Sequence, residues 1–133
     1  MAKQRIAIIN IVESGHNVLS AVLQDLSDIF SDYEVVGKVN IYEGVIDTTN
    51  EVYYVIENTD NILRRILRKS PDVIIVVPTG PYIISFMALW RIIRVATRAH
   101  IYIAQFIKNT KHYVFYDVDD LFNRVYKPYI GVE

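Results

Sequence analysis

Two short segments carry residue types suited to holding a small polar ligand: Ser14-Gly15-His16-Asn17 and Thr79-Gly80. Together they offer hydroxyls, an imidazole, a carboxamide and glycine-flanked backbone N–H groups, a set able to hold phosphate or a nucleobase without a large basic field. Neither segment has the glycine spacing of a dinucleotide fingerprint or the Gly-Lys-Ser/Thr ending of a phosphate-binding loop. The same residues also have ordinary structural uses, Asn17 as a helix cap and Gly15 and Gly80 as turn formers. His16 is the loop imidazole, but no paired nucleophile or metal-ligand spacing accompanies it, and no base is identified for Ser14. The expected ligand-binding set is therefore Ser14, Gly15, His16, Asn17, Thr79 and Gly80, with no catalytic residue assigned. His100, at a helix-to-strand junction, and His112, at a strand start, read as structural.

Composition narrows the chemistry. The 133 residues are 52% hydrophobic and 22% charged, with a net charge of −1, which excludes a disordered chain and a generally basic binder of duplex nucleic acid. Zero cysteines remove disulfides, iron–sulfur clusters, thiolate zinc and a cysteine nucleophile. Val73 to Trp90 is free of charge for eighteen residues, long enough to suggest a membrane span. Pro78-Thr79-Gly80-Pro81 interrupts it and Arg91, Arg94 and Arg98 follow, so a strand, a turn and a helix fit better. No cationic leader followed by an apolar stretch opens the chain, so no export signal is read and the cytoplasm is the expected location. One domain over residues 1–133 is expected, because the length supports one ordinary core.

The elements that must position the two loops follow from periodicity. Arg5 to Val12 reads as an apolar strand and Val18 to Phe30 as an amphipathic helix. Glu34 to Tyr42 and Glu51 to Ile56 read as two strands joined in a long hairpin, with Asn58 or Thr59 capping a short helix that buries Ile62, Leu63, Ile66 and Leu67. Val73 to Val77, five aliphatic residues in a row, predicts a central parallel strand buried on both faces. Pro81 opens a helix reaching about Ala99, and Ile101 to Ile107 with His112 to Tyr116 form a hairpin. Asp119 or Asp120 begins a terminal helix through Tyr126. Twenty Ile and seventeen Val against seven Leu favour a sheet-centred core, a bias that also suits a thermophile. The expected fold is α/β: a Rossmann-like three-layer sandwich with a largely parallel central sheet and an antiparallel hairpin. The helix after Gly80 carries Tyr82, Ile83, Phe86, Met87, Trp90 and Ile93 and is apolar nearly all round, which predicts a homodimer interface.

Two resemblances follow. Glu13, with Asp117, Asp119 and Asp120 after a later strand, resembles the Glu and Asp-x-Asp elements of Toprim nucleases, and implies Mg²⁺ held by carboxylates. The strand and helix from Val73 to Ala99 do not match a simple Toprim order, so the expected set contains no metal ligand and no cofactor. The sequence of strand, Ser14 loop, second strand, Thr79-Gly80 loop, apolar helix and the Ile101 to Ile103 strand resembles a CARF domain, the CRISPR-associated Rossmann fold. That resemblance implies a homodimeric sensor binding cyclic oligoadenylate or another nucleotide, with ring cleavage in some members. It departs from the family in lacking Lys or Arg after Gly80, where Pro81-Tyr82 stands, which puts ring cleavage in doubt, and in lacking an evident helix from Tyr33 to Glu57. The alternatives are a metal-dependent nuclease or phosphohydrolase, and a structural interaction dimer without a small ligand.

Overall fold

A computed structural model describes residues 3–123 of the chain. Its strands are β1 (Gln4–Glu13), β2 (Tyr33–Glu43), β3 (Val73–Val77), β4 (His100–Ile107) and β5 (His112–Asp117), and its helices are α1 (Val18–Asp25), α2 (Thr49–Leu67) and α3 (Tyr82–Val95). A 3₁₀ turn over Leu26–Asp28 extends α1, and residues 118–123 are helical after β5. The expected extension of that helix to Tyr126 lies outside the described residues.

The five strands form one sheet in the order β2-β1-β3-β4-β5. The first four are mutually parallel, and β5 pairs antiparallel with β4. β3 is the middle strand and all five of its residues are buried, as an unbroken aliphatic run requires when both faces of a sheet are covered. Alternation along the strands separates two cores. Ile6 and Ile8 of β1 and Val73, Ile75 and Val77 of β3 meet Val18, Val22 and Leu26 on the α1 side. Ala7, Ile9 and Ile11 with Ile74 and Val76 meet Val55, Ile62, Leu63 and Ile66 of α2 and Ile84, Ala88 and Ile92 of α3 on the other side. The chain is thus a three-layer α/β sandwich.

One expectation is corrected. Glu51 to Ile56 is not a strand, and β2 pairs only with β1, so there is no hairpin between them. Those residues are the start of the nineteen-residue α2, whose N-cap is Thr48 and not Asn58 or Thr59. The Thr48 hydroxyl accepts the Glu51 N–H at 3.3 Å, the N-cap half of a capping box, while Glu51 Oε1 reaches back to accept the Thr48 hydroxyl at 2.9 Å and the Asp47 N–H at 3.3 Å. Asn58 instead donates to the Ile41 carbonyl at 3.1 Å, and the buried Thr59 hydroxyl donates to the Val55 carbonyl at 2.8 Å. The β-branched and aromatic run from Val52 to Ile56 has strand propensity, but one face of a helix packed on the sheet buries Val55, Thr59, Ile62 and Ile66 together. α2 supplies the crossover that parallel β2 and β3 need.

Candidate functional site

The order β2-β1-β3 means that the chain leaves β1 toward one side of the sheet and leaves β3 toward the other. In open α/β sheets, ligands bind beyond the carboxyl ends of the strands at such a reversal of order. Ser14 to Asn17 follow β1 there and Thr79-Gly80 follow β3, so the two predicted loops leave adjacent strands at one end of the sheet. All four residues of the first loop are exposed. Thr79 ties the two strand ends together: its hydroxyl accepts the Val12 N–H at 2.8 Å and donates to Asn10 Oδ1 at 2.6 Å. Gly80 adopts φ +87°, and a Cβ there would lie 2.5 Å from Val12 Cγ2, so the loop can lie this close to β1 only with glycine.

A polar relay, buried at Asn10 and exposed at Glu43, continues from Thr79 across the sheet. Asn10, fully buried, donates to Asn40 Oδ1 on β2 at 2.9 Å, and Asn40 donates to Glu43 Oε1 at 3.1 Å. Asn10 and Asn40 were absent from the expected site. A lone carboxamide in the otherwise apolar run from Ile6 to Val12 is the signal that points to Asn10.

The first loop is organised by Glu13, which the sequence suggested only as a metal ligand. Its Oε2 accepts N–H bonds from Gly15 at 2.9 Å, His16 at 2.7 Å and Asn17 at 3.0 Å, and its Oε1 accepts the Val18 N–H at 2.7 Å. Positive φ at Gly15 (111°) and Asn17 (51°) turns these N–H groups inward. Burial pushes the Glu13 carboxyl up, but the four backbone bonds outweigh it and hold the group below its ordinary 4.5. Asn17 occupies the N-cap position of α1 without a side-chain capping bond, so Glu13 supplies the cap expected of Asn17.

Further acidic groups stand at the same end of the sheet. Tyr42 donates its hydroxyl to Glu51 Oε2 at 2.5 Å. That bond, with hydrogen bonds from Asp47 and Thr48, lowers the Glu51 carboxyl to about 2, while the same contact with Glu51 pushes Asp47 up.

The carboxylates do not gather as the Toprim resemblance implied. Asp117 pairs with Tyr102, which is level with Ile75 and Ile8, so Glu13 lies five residues along and three strands across, about 17 Å by about 14 Å away. Asp117 instead meets His100 at 2.7 Å and accepts the N–H groups of Asp119 and Asp120 at 2.9 and 3.3 Å. Donor atoms of His100, Asp117 and Asp119 lie within 4.8 Å of one another. His112 contacts Asp25 at 2.9 Å, and the other Asp25 oxygen accepts the Tyr113 N–H, which fixes α1 to β5.

α3 begins immediately after the second loop. Its outward face shows Tyr82, Ile83, Phe86, Met87 and Trp90, with Tyr82 84% exposed. An open groove of about 600 Å³ runs beside it, lined by Ile46, Thr48, Val52, Tyr53, Pro81 and Met87 among others. A second hollow of about 380 Å³ lies on Pro78, Gly80, Tyr82, Ser85, Phe86 and Leu89. Arg91 forms a bidentate pair with Asp60 of α2 at 2.8 and 2.6 Å, and Arg94 lies 5.9 Å over the Trp90 ring. Among the described residues, no helix is long and apolar enough to cross a membrane.

In comparisons with known proteins, no family model, no curated protein and no solved structure matches the chain. The class defined by fold and site geometry is an α/β sandwich with two loops at the reversal of its strand order.

Proposed function

We propose that the chain is a homodimeric, CARF-like ligand-binding domain that takes a nucleotide, with cyclic oligoadenylate as the specific candidate. One observation carries the reading: the Ser14–Asn17 and Thr79–Gly80 loops leave the carboxyl ends of the adjacent strands β1 and β3, and the second runs directly into the exposed apolar face of α3. Joining two copies through α3 brings both pairs of loops toward a common axis, and a symmetric ligand matches a symmetric cleft. Five large exposed side chains within nine residues of one helix suit an interface core, for which a standard dimer needs about 800 Å² per partner. The α2 crossover between β2 and β3 adds support, since it supplies the helix missing from the sequence reading of the resemblance.

Selectivity in this reading comes from Ser14, His16 and Asn17, which are exposed beyond the end of β1, while Thr79 ties the ends of β1 and β3 together. Thermal-shift screening and calorimetry with cyclic tetra- and hexa-adenylate test the proposal. Binding should occur, and Ser14→Ala and His16→Ala should each weaken it by up to roughly a hundredfold, the loss of one hydrogen-bond partner that the ligand would bury. A dimer that binds neither ring contradicts it.

A second reading, metal-dependent phosphodiester hydrolysis, is favoured by the His100, Asp117 and Asp119 group alone. Mg²⁺-dependent cleavage abolished by Asp117→Ala would replace the sensor reading.

A further inference from the structure

The seat that a phosphate takes in a helix-opening loop is filled in this protein by its own side chain. Backbone N–H groups that converge at a helix start receive anions because several donors and the positive end of the helix dipole act together. Here all four such donors, from Gly15 to Val18, are spent on Glu13 at 2.7 to 3.0 Å. Glu13 is the last residue of β1, held there by pairing with β2 alone, since the pairing with β3 stops at Asn10. Its register partner on β2 is Glu43, another carboxylate. Among the described residues neither forms an ion pair, so no basic side chain lies within 4.0 Å of either carboxylate.

We propose that Glu13 is the specificity-determining residue of the first loop: it stands where a phosphate would bind, so the loop meets a neutral hydrogen-bonding edge of the ligand, a nucleobase or a ribose hydroxyl. The inference rests on the nucleotide reading for its ligand class. It explains how a loop with converging N–H donors can refuse inorganic phosphate and polyphosphate yet leave the Ser14, His16 and Asn17 side chains exposed to a ligand. Phosphates of a bound nucleotide then point away from Glu13.

The test is an amide-resolved NMR titration of wild type, Glu13→Gln and Glu13→Ala with inorganic phosphate. In Glu13→Gln the charge is gone and one carboxamide oxygen must serve the donors while the NH₂ repels at least one N–H, so phosphate can displace the side chain from all four amides. Both variants should show saturable shifts of the Gly15, His16, Asn17 and Val18 amides, with phosphate affinity at least about tenfold above wild type. Wild type binding phosphate at these amides as tightly as the variants overturns the inference, and so do folded variants that show no shift there. If Glu13→Ala does not fold, Glu13→Gln decides alone. Titration of wild type with cyclic tetra-adenylate separates the two ideas. Absence of binding removes the nucleotide reading while the phosphate result stands, whereas ring binding that releases the Glu13 carboxylate from the four amides overturns the inference and leaves the reading intact.

Discussion

Gly80 and Gly15 both have positive φ, yet they differ in what surrounds them. At Gly80 a methyl group meets the β-branched Val12 at 2.5 Å and cannot be accommodated by a simple rotamer change, so Gly80→Ala should cost about 2 kcal/mol or more. At Gly15 nothing lies within 4 Å, and Gly15→Ala should cost about 1 kcal/mol from backbone strain alone. Urea unfolding of the two variants side by side checks the order. Glu13 adds a pH dependence. Its folded carboxyl sits below 4.5, so its contribution to stability is present above that pH and is lost as pH falls through the lowered value. Thermal melts from pH 6 to pH 3 should therefore fall less steeply for Glu13→Gln than for wild type. The loop residues themselves were legible in the sequence, because glycine and small polar side chains after an apolar strand mark a loop. The role of Glu13 was not, since a carboxylate reaches the next four amides only when Gly15 and Asn17 adopt left-handed backbone angles that no residue type dictates.

At the scale of elements, α2 is where local preference and packing disagree. A strand over Glu51 to Ile56 would bury alternate residues, whereas the helix buries Val55 and leaves Tyr53 62% exposed. Val55→Ala should therefore destabilise by about 2 kcal/mol and Tyr53→Ala by no more than about 0.5 kcal/mol, measured by denaturant unfolding. Comparable losses at both positions would argue against the helix. Val52-Tyr53-Tyr54-Val55-Ile56 obscured the element because its composition favours strands. The Thr48-x-x-Glu51 capping pattern was present in the sequence and is the feature that reveals the helix start. β3 was legible for the opposite reason: five buried aliphatic residues admit few alternatives in an α/β chain. The Asp60–Arg91 pair joins α2 to α3 on a surface where both side chains remain substantially exposed. A double-mutant cycle there should give a coupling below about 1 kcal/mol.

For the molecule as a whole, the central place of β3 could be read but the neighbours of each strand could not. Nothing in the residues of β1 or β3 states that they are neighbours; the Thr79–Val12 and Thr79–Asn10 bonds become visible only once the strands are placed. The polar relay and the separation of Glu13 from Asp117 follow from that same placement. The apolar α3 face, in contrast, was plain from composition, and it carries the central claim that two copies of the chain share one site. Trp90→Glu should leave the fold intact, because Trp90 is half exposed, and should shift light scattering from dimer to monomer. The most direct measurement is calorimetric titration of cyclic tetra-adenylate into the intact protein, with the oligomeric state recorded on the same sample. A dimer binding one ring per two chains is the predicted result. Binding of one ring per chain, or a dimer that takes no ring at all, would contradict a site shared across the two-fold axis.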